Sequence, residues 1–142
     1  MSGQRVLVIG AGFLGRALAC RLAGEGAGVS VLSPRADAAI WPAGVAAVPG
    51  RQEDAALLAE LIERHDMVIH AAWGTTPGAS AGRPAIEAEK GLNPFLAFLE
   101  TLQRFAQRFS IGALAGVDFN AGVQLIGAAS AVAVDAHPPP AL

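Results

Sequence analysis

The 142 residues amount to one domain's worth of chain, long enough to bury a core. With 53% hydrophobic residues, 15% charged residues and a net charge of −2, the composition excludes a disordered chain and a polybasic surface for nucleic acid or anionic lipid. The single cysteine, Cys20, cannot form an internal disulfide, which makes a reducing cytoplasm the expected compartment.

Residues 5–9 read as a buried parallel strand, too short and too soon cut by glycines to be the core of a secretion signal. Gly10-Ala11-Gly12-Phe13-Leu14-Gly15 follows as a G-x-G-x-x-G turn. In such a turn the first glycine permits the tight bend, the second lets backbone approach a pyrophosphate, and the third lets the next helix pack close. That helix is expected over 13–23, with Leu14, Leu18 and Leu22 on one face. Gly24-Glu25-Gly26 ends it, and the valine-rich 28–32 makes a second strand. Glycines alone mark ordinary turns, but here strand, turn and amphipathic helix occur together in one β-α-β unit. An acidic residue at the end of the second strand would select NAD. The chain has Ser33-Pro34-Arg35 instead, so NADP is favoured over NAD, against the plainer reading of Arg35 as a solvated loop residue.

A third strand is expected at 45–48, a helix at 54–64 striped by Leu57, Leu58, Leu61 and Ile62, and a fourth strand at 67–71. Residues 73–84 read as a loop, and 85–109 as a long helix carrying Leu92, Phe95, Leu96, Leu99, Leu102 and Phe105 at helical spacing. Pro94 either kinks that helix or begins a new one with Asn93 as its N-cap. After Arg108 there is no further Lys or Arg, Gly, Ala and Val dominate, and the end carries Pro138-Pro139-Pro140. A fifth strand is expected at 123–126. The apolar stretch 111–134 contains Asp118, Asn120 and Gln124, so no membrane span is expected. The expected fold is therefore α/β, a doubly wound parallel sheet of Rossmann type over 1–109, followed by an atypical tail over 110–142 with a last strand and a disordered Pro-rich end. His65, His70 and His137 lack ligand spacing, so no metal site is expected, and His70 reads as a half-buried residue at a strand end. Trp41 and Trp73 read as packing or loop anchors.

At this point the chain resembles a family. Gly10-Ala11-Gly12-Phe13-Leu14-Gly15-Arg16 is similar to the glycine turn of the extended short-chain dehydrogenase/reductases, the NAD-dependent epimerase/dehydratase proteins. Asp66-Met67-Val68-Ile69-His70-Ala71-Ala72 resembles that family's fourth strand. Trp73-Gly74-Thr75-Thr76-Pro77, then Asn93 and the Leu92–Leu102 helix, resemble the loop and helix of its UDP-glucose-epimerase-like branch. The resemblance implies that Gly10, Gly12, Phe13, Leu14 and Gly15 line a pyrophosphate. It implies that Ser33 and Arg35 flank the adenosine ribose, and that Ala71, Ala72 and Trp73 run beside the nicotinamide ribose.

Three departures stand out. Ile9 replaces a usual glycine, Arg51 replaces an aspartate that often contacts adenine, and the catalytic Tyr-x-x-x-Lys is missing, for the chain has no tyrosine and its only lysine is Lys90. Ser130 in Ala129-Ser130-Ala131-Val132 echoes the family's catalytic hydroxyl, although it falls too far along the chain. No catalytic residue is therefore assigned. The expected function is the NAD(P)-binding part of an epimerase/dehydratase-like oxidoreductase acting on a nucleotide sugar, truncated or disrupted near Arg108, with a homodimer as its assembly. Two other readings stay open. One is a non-catalytic dinucleotide-binding regulatory or interaction module. The other is a degenerate product whose uncovered apolar surface drives association.

Overall fold

Short runs of valine, leucine and isoleucine become parallel strands because helices cover them on both faces. The structure is a computed structural model and describes residues 2–105, 109–110 and 132–136. β1 (Arg5–Ile9) lies between β2 (Gly28–Ser33) and β4 (Met67–His70), and β3 (Val45–Pro49) extends the sheet beyond β2. All three pairings are parallel. The sheet continues past β4 with two antiparallel strands, β5 (Phe109–Ser110) and β6 (Val132–Ala136), in the order β3-β2-β1-β4-β6-β5. The doubly wound α/β expectation holds for the four parallel strands. β6 arises within the tail, nine positions after the strand expected at 123–126, which lies outside the described residues.

Side chains alternate across β1. Val6 and Val8 pack with Val29, Val31 and Ile69 beneath α1 (Phe13–Gly24). Leu7 and Ile9 face the other way, with Leu32 and Val68, beneath α2 (Ala55–Arg64) and α5 (Asn93–Gln103). On α1 the buried residues are Gly15, Ala19 and Leu22, while Leu18 is only partly covered. The stripe expected at Leu14, Leu18 and Leu22 is thus rotated. The small residues face the sheet because α1 rides close to the turn that precedes it, and bulk there would hold it away. α2 follows its sequence closely, burying Leu58, Leu61 and Ile62. Asp54 caps it, its Oδ1 accepting from the Leu57 N–H at 3.1 Å.

The expected long helix is interrupted. Two short helices, α3 (Pro77–Ser80) and α4 (Pro84–Glu87), lead into a π turn at Ala88–Leu92, and α5 continues directly from it. Asn93 therefore does not cap a new helix, since the residue before it already has helical backbone angles. Pro94 lacks the N–H that would bond the Lys90 carbonyl in an α-helix, and the wider π turn absorbs that defect. The extra residue rotates α5 about its axis. Phe98 becomes fully buried, while Leu92 and Leu96 are exposed.

His65 joins α2 to β2. Its Nδ1 donates to the Leu61 carbonyl at 2.6 Å, so its Nε2 accepts from the Ser30 hydroxyl at 2.9 Å. Burial pushes its pKa below the ordinary 6.5, outweighing the Leu61 hydrogen bond, which acts in the opposite direction. The folded chain thus resists a proton that the unfolded chain accepts. Stability is full above pH 6.5 and declines as pH falls toward the depressed folded value. Urea midpoints at pH 7.5 and 5.5 should show this loss, and His65→Gln should flatten the difference. An unchanged slope in the variant would refute the assignment.

Candidate functional site

The site begins where β1 ends. Gly10 has φ +107°, a conformation that side chains disfavour, and a Cβ added there would lie 2.7 Å from the Ala71 carbonyl oxygen. A Cβ on Gly15 would sit 1.9 Å from the Gly10 carbonyl oxygen. Gly12 differs, having an ordinary φ of −71° and nothing within 4 Å of an added Cβ. It caps α1 without a side-chain acceptor, and the first turn carries no acidic residue. The first N–H groups of α1 therefore have no side-chain cap and carry the positive end of the helix dipole.

This turn forms one wall of a cleft of about 290 Å³. Its other walls are the end of β2 at Leu32 and Ser33, residues 50–53 after β3, residues 71–74 after β4, and Lys90 with Pro94 from the helical segment. All the contributing strands present their carboxyl ends. β1 connects onward to β2 on one side while β4 lies on the other, so the cleft sits at the point where strand order reverses. Open α/β sheets bind their ligands there.

The wall after β4 is fastened from behind. The Trp73 indole N–H donates to Glu87 Oε1 at 2.5 Å, and the Thr75 hydroxyl donates to Oε2 at 2.6 Å. Hydrogen bonds from Ser80, Thr75 and Trp73 hold the Glu87 carboxyl below the usual carboxylate range. The indole lies against Gly91 in the π turn, where a Cβ would come within 2.8 Å of ring atoms, and Gly74 leaves room for the Lys90 carbonyl. Below the cleft, His70 is fully buried, not half-buried as expected. Its ring packs on Phe95 and Phe98 and its Nε2 donates to Gln52 Oε1 at 2.5 Å, which holds a cleft residue from the core side.

The profile of the NAD-dependent epimerase/dehydratase family matches residues 6–113. The chain belongs to that family. Among solved structures it resembles an epimerase from Methanothermobacter thermautotrophicus, at 28% identity and a TM-score of 0.62, covering 72% of this chain and 32% of that one. It also resembles the Bordetella bronchiseptica enzyme WbmF in complex with NAD+, at 30% identity and a TM-score of 0.59, covering 73% and 33%. A third is Thermus thermophilus UDP-glucose 4-epimerase in complex with NAD, at 27% identity and a TM-score of 0.59, covering 72% and 34%. The matched region is thus about a third of each of these proteins. No curated protein matches the chain.

For this family member, the structure gathers Gly10, Gly12, Ser33, Ala71, Ala72 and Trp73 into the cleft, and puts Arg35 in an adjoining depression. Phe13, Leu14 and Gly15 are not in its lining. Phe13 is 94% exposed at the start of α1, Leu14 is half-buried, and Gly15 is buried against Gly10. Asn93 is exposed and absent from the lining, while its neighbours Lys90 and Pro94 are present. Arg51 lines the cleft and pairs with Glu53 at 3.3 Å. Sequence reading missed Gln52, Glu53 and Glu87. Glu87 had one available signal, the need of a partly buried indole N–H for an acceptor. Among the described residues no His, Cys, Asp and Glu cluster can hold a metal, and no helix is long and apolar enough to cross a membrane. Ser130 and His137 lie outside the described residues.

Removing the acceptor at Glu87 should free the indole that forms the wall. Glu87→Ala, made in a Trp41→Phe background so that Trp73 is the only reporter, should shift tryptophan emission to longer wavelength. The native protein should show the same shift only at pH well below the usual carboxylate range, because the depressed pKa keeps Glu87 ionised until then. Identical spectra would refute the latch.

Proposed function

We propose that residues 1–109 are the dinucleotide-binding domain of an oxidoreductase of the epimerase/dehydratase kind that acts on a nucleotide sugar. The carrying observation is the contrast among the three glycines. Backbone fills the side-chain space at Gly10 and Gly15, but that of Gly12 is empty and opens into a cleft at the strand-order reversal. A pyrophosphate fits this arrangement, for it needs close approach to backbone N–H groups and no carboxylate in the first turn. The NAD complexes among the structural relatives support the cofactor class, and WbmF crystallised with NAD+ and UDP supports the substrate class. Arg35 in place of an acidic residue after β2 tilts the reading toward NADP.

In this reading the bound nicotinamide supplies the hydride acceptor. Gly12 and the first turn of α1 hold the phosphates, Ser33 and Arg35 flank the adenosine ribose, and the latched Trp73 fixes the wall beside Ala71 and Ala72. The proton-handling Tyr-x-x-x-Lys is not within these 142 residues, so a complete reaction draws on groups beyond them, and the chain is in this sense the cofactor part of a truncated or larger enzyme. Compartment and assembly belong to the same proposal: cytoplasmic, and a homodimer using exposed Leu92 and Leu96, one turn apart. The missing tyrosine also favours a second reading, a dinucleotide-binding module that regulates or partners another protein without turnover.

Calorimetric titration with NAD+ and NADP+ tests the common core of both readings. Native protein should bind at least one of them. Gly12→Ala should keep its melting temperature yet lose affinity about 10- to 100-fold, since the added methyl meets no protein atom but occupies the phosphate's approach. Gly15→Ala, by contrast, should unfold at lower temperature. Unchanged affinity in Gly12→Ala would overturn the phosphate assignment. DNA sequence surrounding the codons for residues 108–142 separates the readings, because a Tyr-x-x-x-Lys in another frame supports the enzyme and its absence supports the module.

A further inference from the structure

Lys90 is the only lysine of the chain, and no role in the proposed dinucleotide site falls to it. It lines the cleft, yet among the described residues it has no carboxylate partner. Arg51, the other cation of the lining, is paired with Glu53 at 3.3 Å. The described lining therefore carries one uncompensated side-chain charge, besides the positive end of the α1 dipole.

Backbone fixes where that charge starts. Pro94 has no N–H to give the Lys90 carbonyl the bond of an α-helix, and Lys90 lies within the π turn at Ala88–Leu92. A Cβ added to Gly74 would lie 2.0 Å from the Lys90 carbonyl oxygen and 3.4 Å from the Lys90 Cβ. One position further, Gly91 lies against the Trp73 indole. The two glycines interlock the π turn with the wall after β4, for Gly74 admits Lys90 and Gly91 admits Trp73. Glu87 holds the indole N–H at 2.5 Å, so the wall stays in place. β1 lies between β2 and β4, so this wall is on the opposite side of the glycine turn from Ser33. The cleft between them is about 290 Å³, at the low end of the range of roughly 300–1,000 Å³ for small-molecule sites. One nucleotide unit suits that space better than two.

We propose that the cleft takes a free nucleoside diphosphate in preference to a dinucleotide, with Lys90 as counter-charge for the terminal phosphate, so that the nucleoside diphosphate competes with the dinucleotide for this chain. The inference rests on the phosphate assignment above and names a regulator of the same site. In that assignment the nucleoside lies beside Ser33 and the phosphates at Gly12, so whatever follows the second phosphate meets the wall of Trp73 and Lys90. In a dinucleotide that phosphate is a diester with about one charge, and a neutral ribose follows it. In a nucleoside diphosphate it is a terminal monoester with about two charges near neutral pH. An ammonium with three N–H donors matches the monoester and is wasted on the ribose.

Calorimetry on the native chain with ADP, UDP, AMP, NAD+, NADP+ and inorganic pyrophosphate tests the site. ADP or UDP should bind about tenfold or more tighter than either dinucleotide, and the tighter of the two identifies the base. AMP, which lacks the second phosphate, should bind more weakly than ADP by a similar factor. Lys90→Gln should lose about 10- to 100-fold for the diphosphate and less than about threefold for NAD+. Lys90→Arg, which keeps the charge, should retain most of the affinity. Saturating nucleoside diphosphate should also shield Lys90 from acetylation by acetic anhydride, read by mass spectrometry. Equal losses for the diphosphate and NAD+ in Lys90→Gln would overturn the proposal, as would an unshielded Lys90 or a dinucleotide that binds as tightly as ADP and UDP. Pyrophosphate binding as tightly as the nucleoside diphosphate would show a general anion site and likewise overturn it. Dinucleotide binding without nucleoside diphosphate binding would sink this inference and leave the dinucleotide reading standing. The reverse would support this inference and sink that reading, and binding of neither class would sink both.

Discussion

The shape of the candidate cleft depends first on two close approaches of backbone to backbone. The Ala71 carbonyl occupies the side-chain space of Gly10, and the Gly10 carbonyl occupies that of Gly15. Through these contacts the end of β4, the turn after β1 and the start of α1 form one unit. The Gly10 N–H donating to the Leu32 carbonyl at 2.8 Å adds the end of β2. No side chain intervenes, so the geometry is set by main-chain atoms that cannot choose another rotamer. A methyl group at Gly10 or Gly15 would separate these elements, and overpacking of this kind typically costs about 1–3 kcal/mol. A small domain with a marginal stability reserve would feel such a loss throughout.

That constraint also accounts for which parts of the fold are legible in the sequence. β1, β2, β4 and α2 can be read to within a residue or two, because each carries an uninterrupted apolar pattern and, at Asp54, a cap. α1 can be read as a helix but not oriented. Its leucines suggest one face, whereas the demand for contact at Gly15 turns Ala19 and Leu22 inward and leaves Leu18 partly exposed. The same holds for α5, where one extra residue in the π turn moves Phe98 into the core and Leu96 out of it. Periodicity assumes a constant turn angle, and a local change of helix type breaks that assumption. The antiparallel β6 was illegible for a different reason. Its partner is β4, more than sixty positions earlier, and a short Val-Ala-Val run carries no record of strand direction.

The candidate site divides along similar lines. Its glycines are legible because a motif with a mechanical role marks them, and Ser33, Ala71 and Ala72 because they fall at the carboxyl ends of expected strands. Gln52 and Glu87 are not, because each matters through a partner distant in sequence. Gln52 is held by His70 from the core side, and Glu87 holds Trp73 from the solvent side. Both act on the cleft indirectly, by immobilising a wall. His70 has a further effect. Buried against Phe95 and Phe98, it couples the packing of α5 to the loop after β3, so a change in the core would be transmitted to the cleft floor.

Binding and chemistry make different demands on a chain, and here they separate. The proposed dinucleotide site needs backbone N–H groups, a strand-order reversal and a few fixed walls, and residues 9–94 contain all of them. Proton transfer at a sugar hydroxyl needs a side chain of suitable pKa at one defined point, and the family's tyrosine for that task is not in the sequence. The glycine contacts that shape the cleft have no dependence on that tyrosine. A chain of this kind can therefore retain the geometry of its cleft whether or not reaction groups are supplied to it.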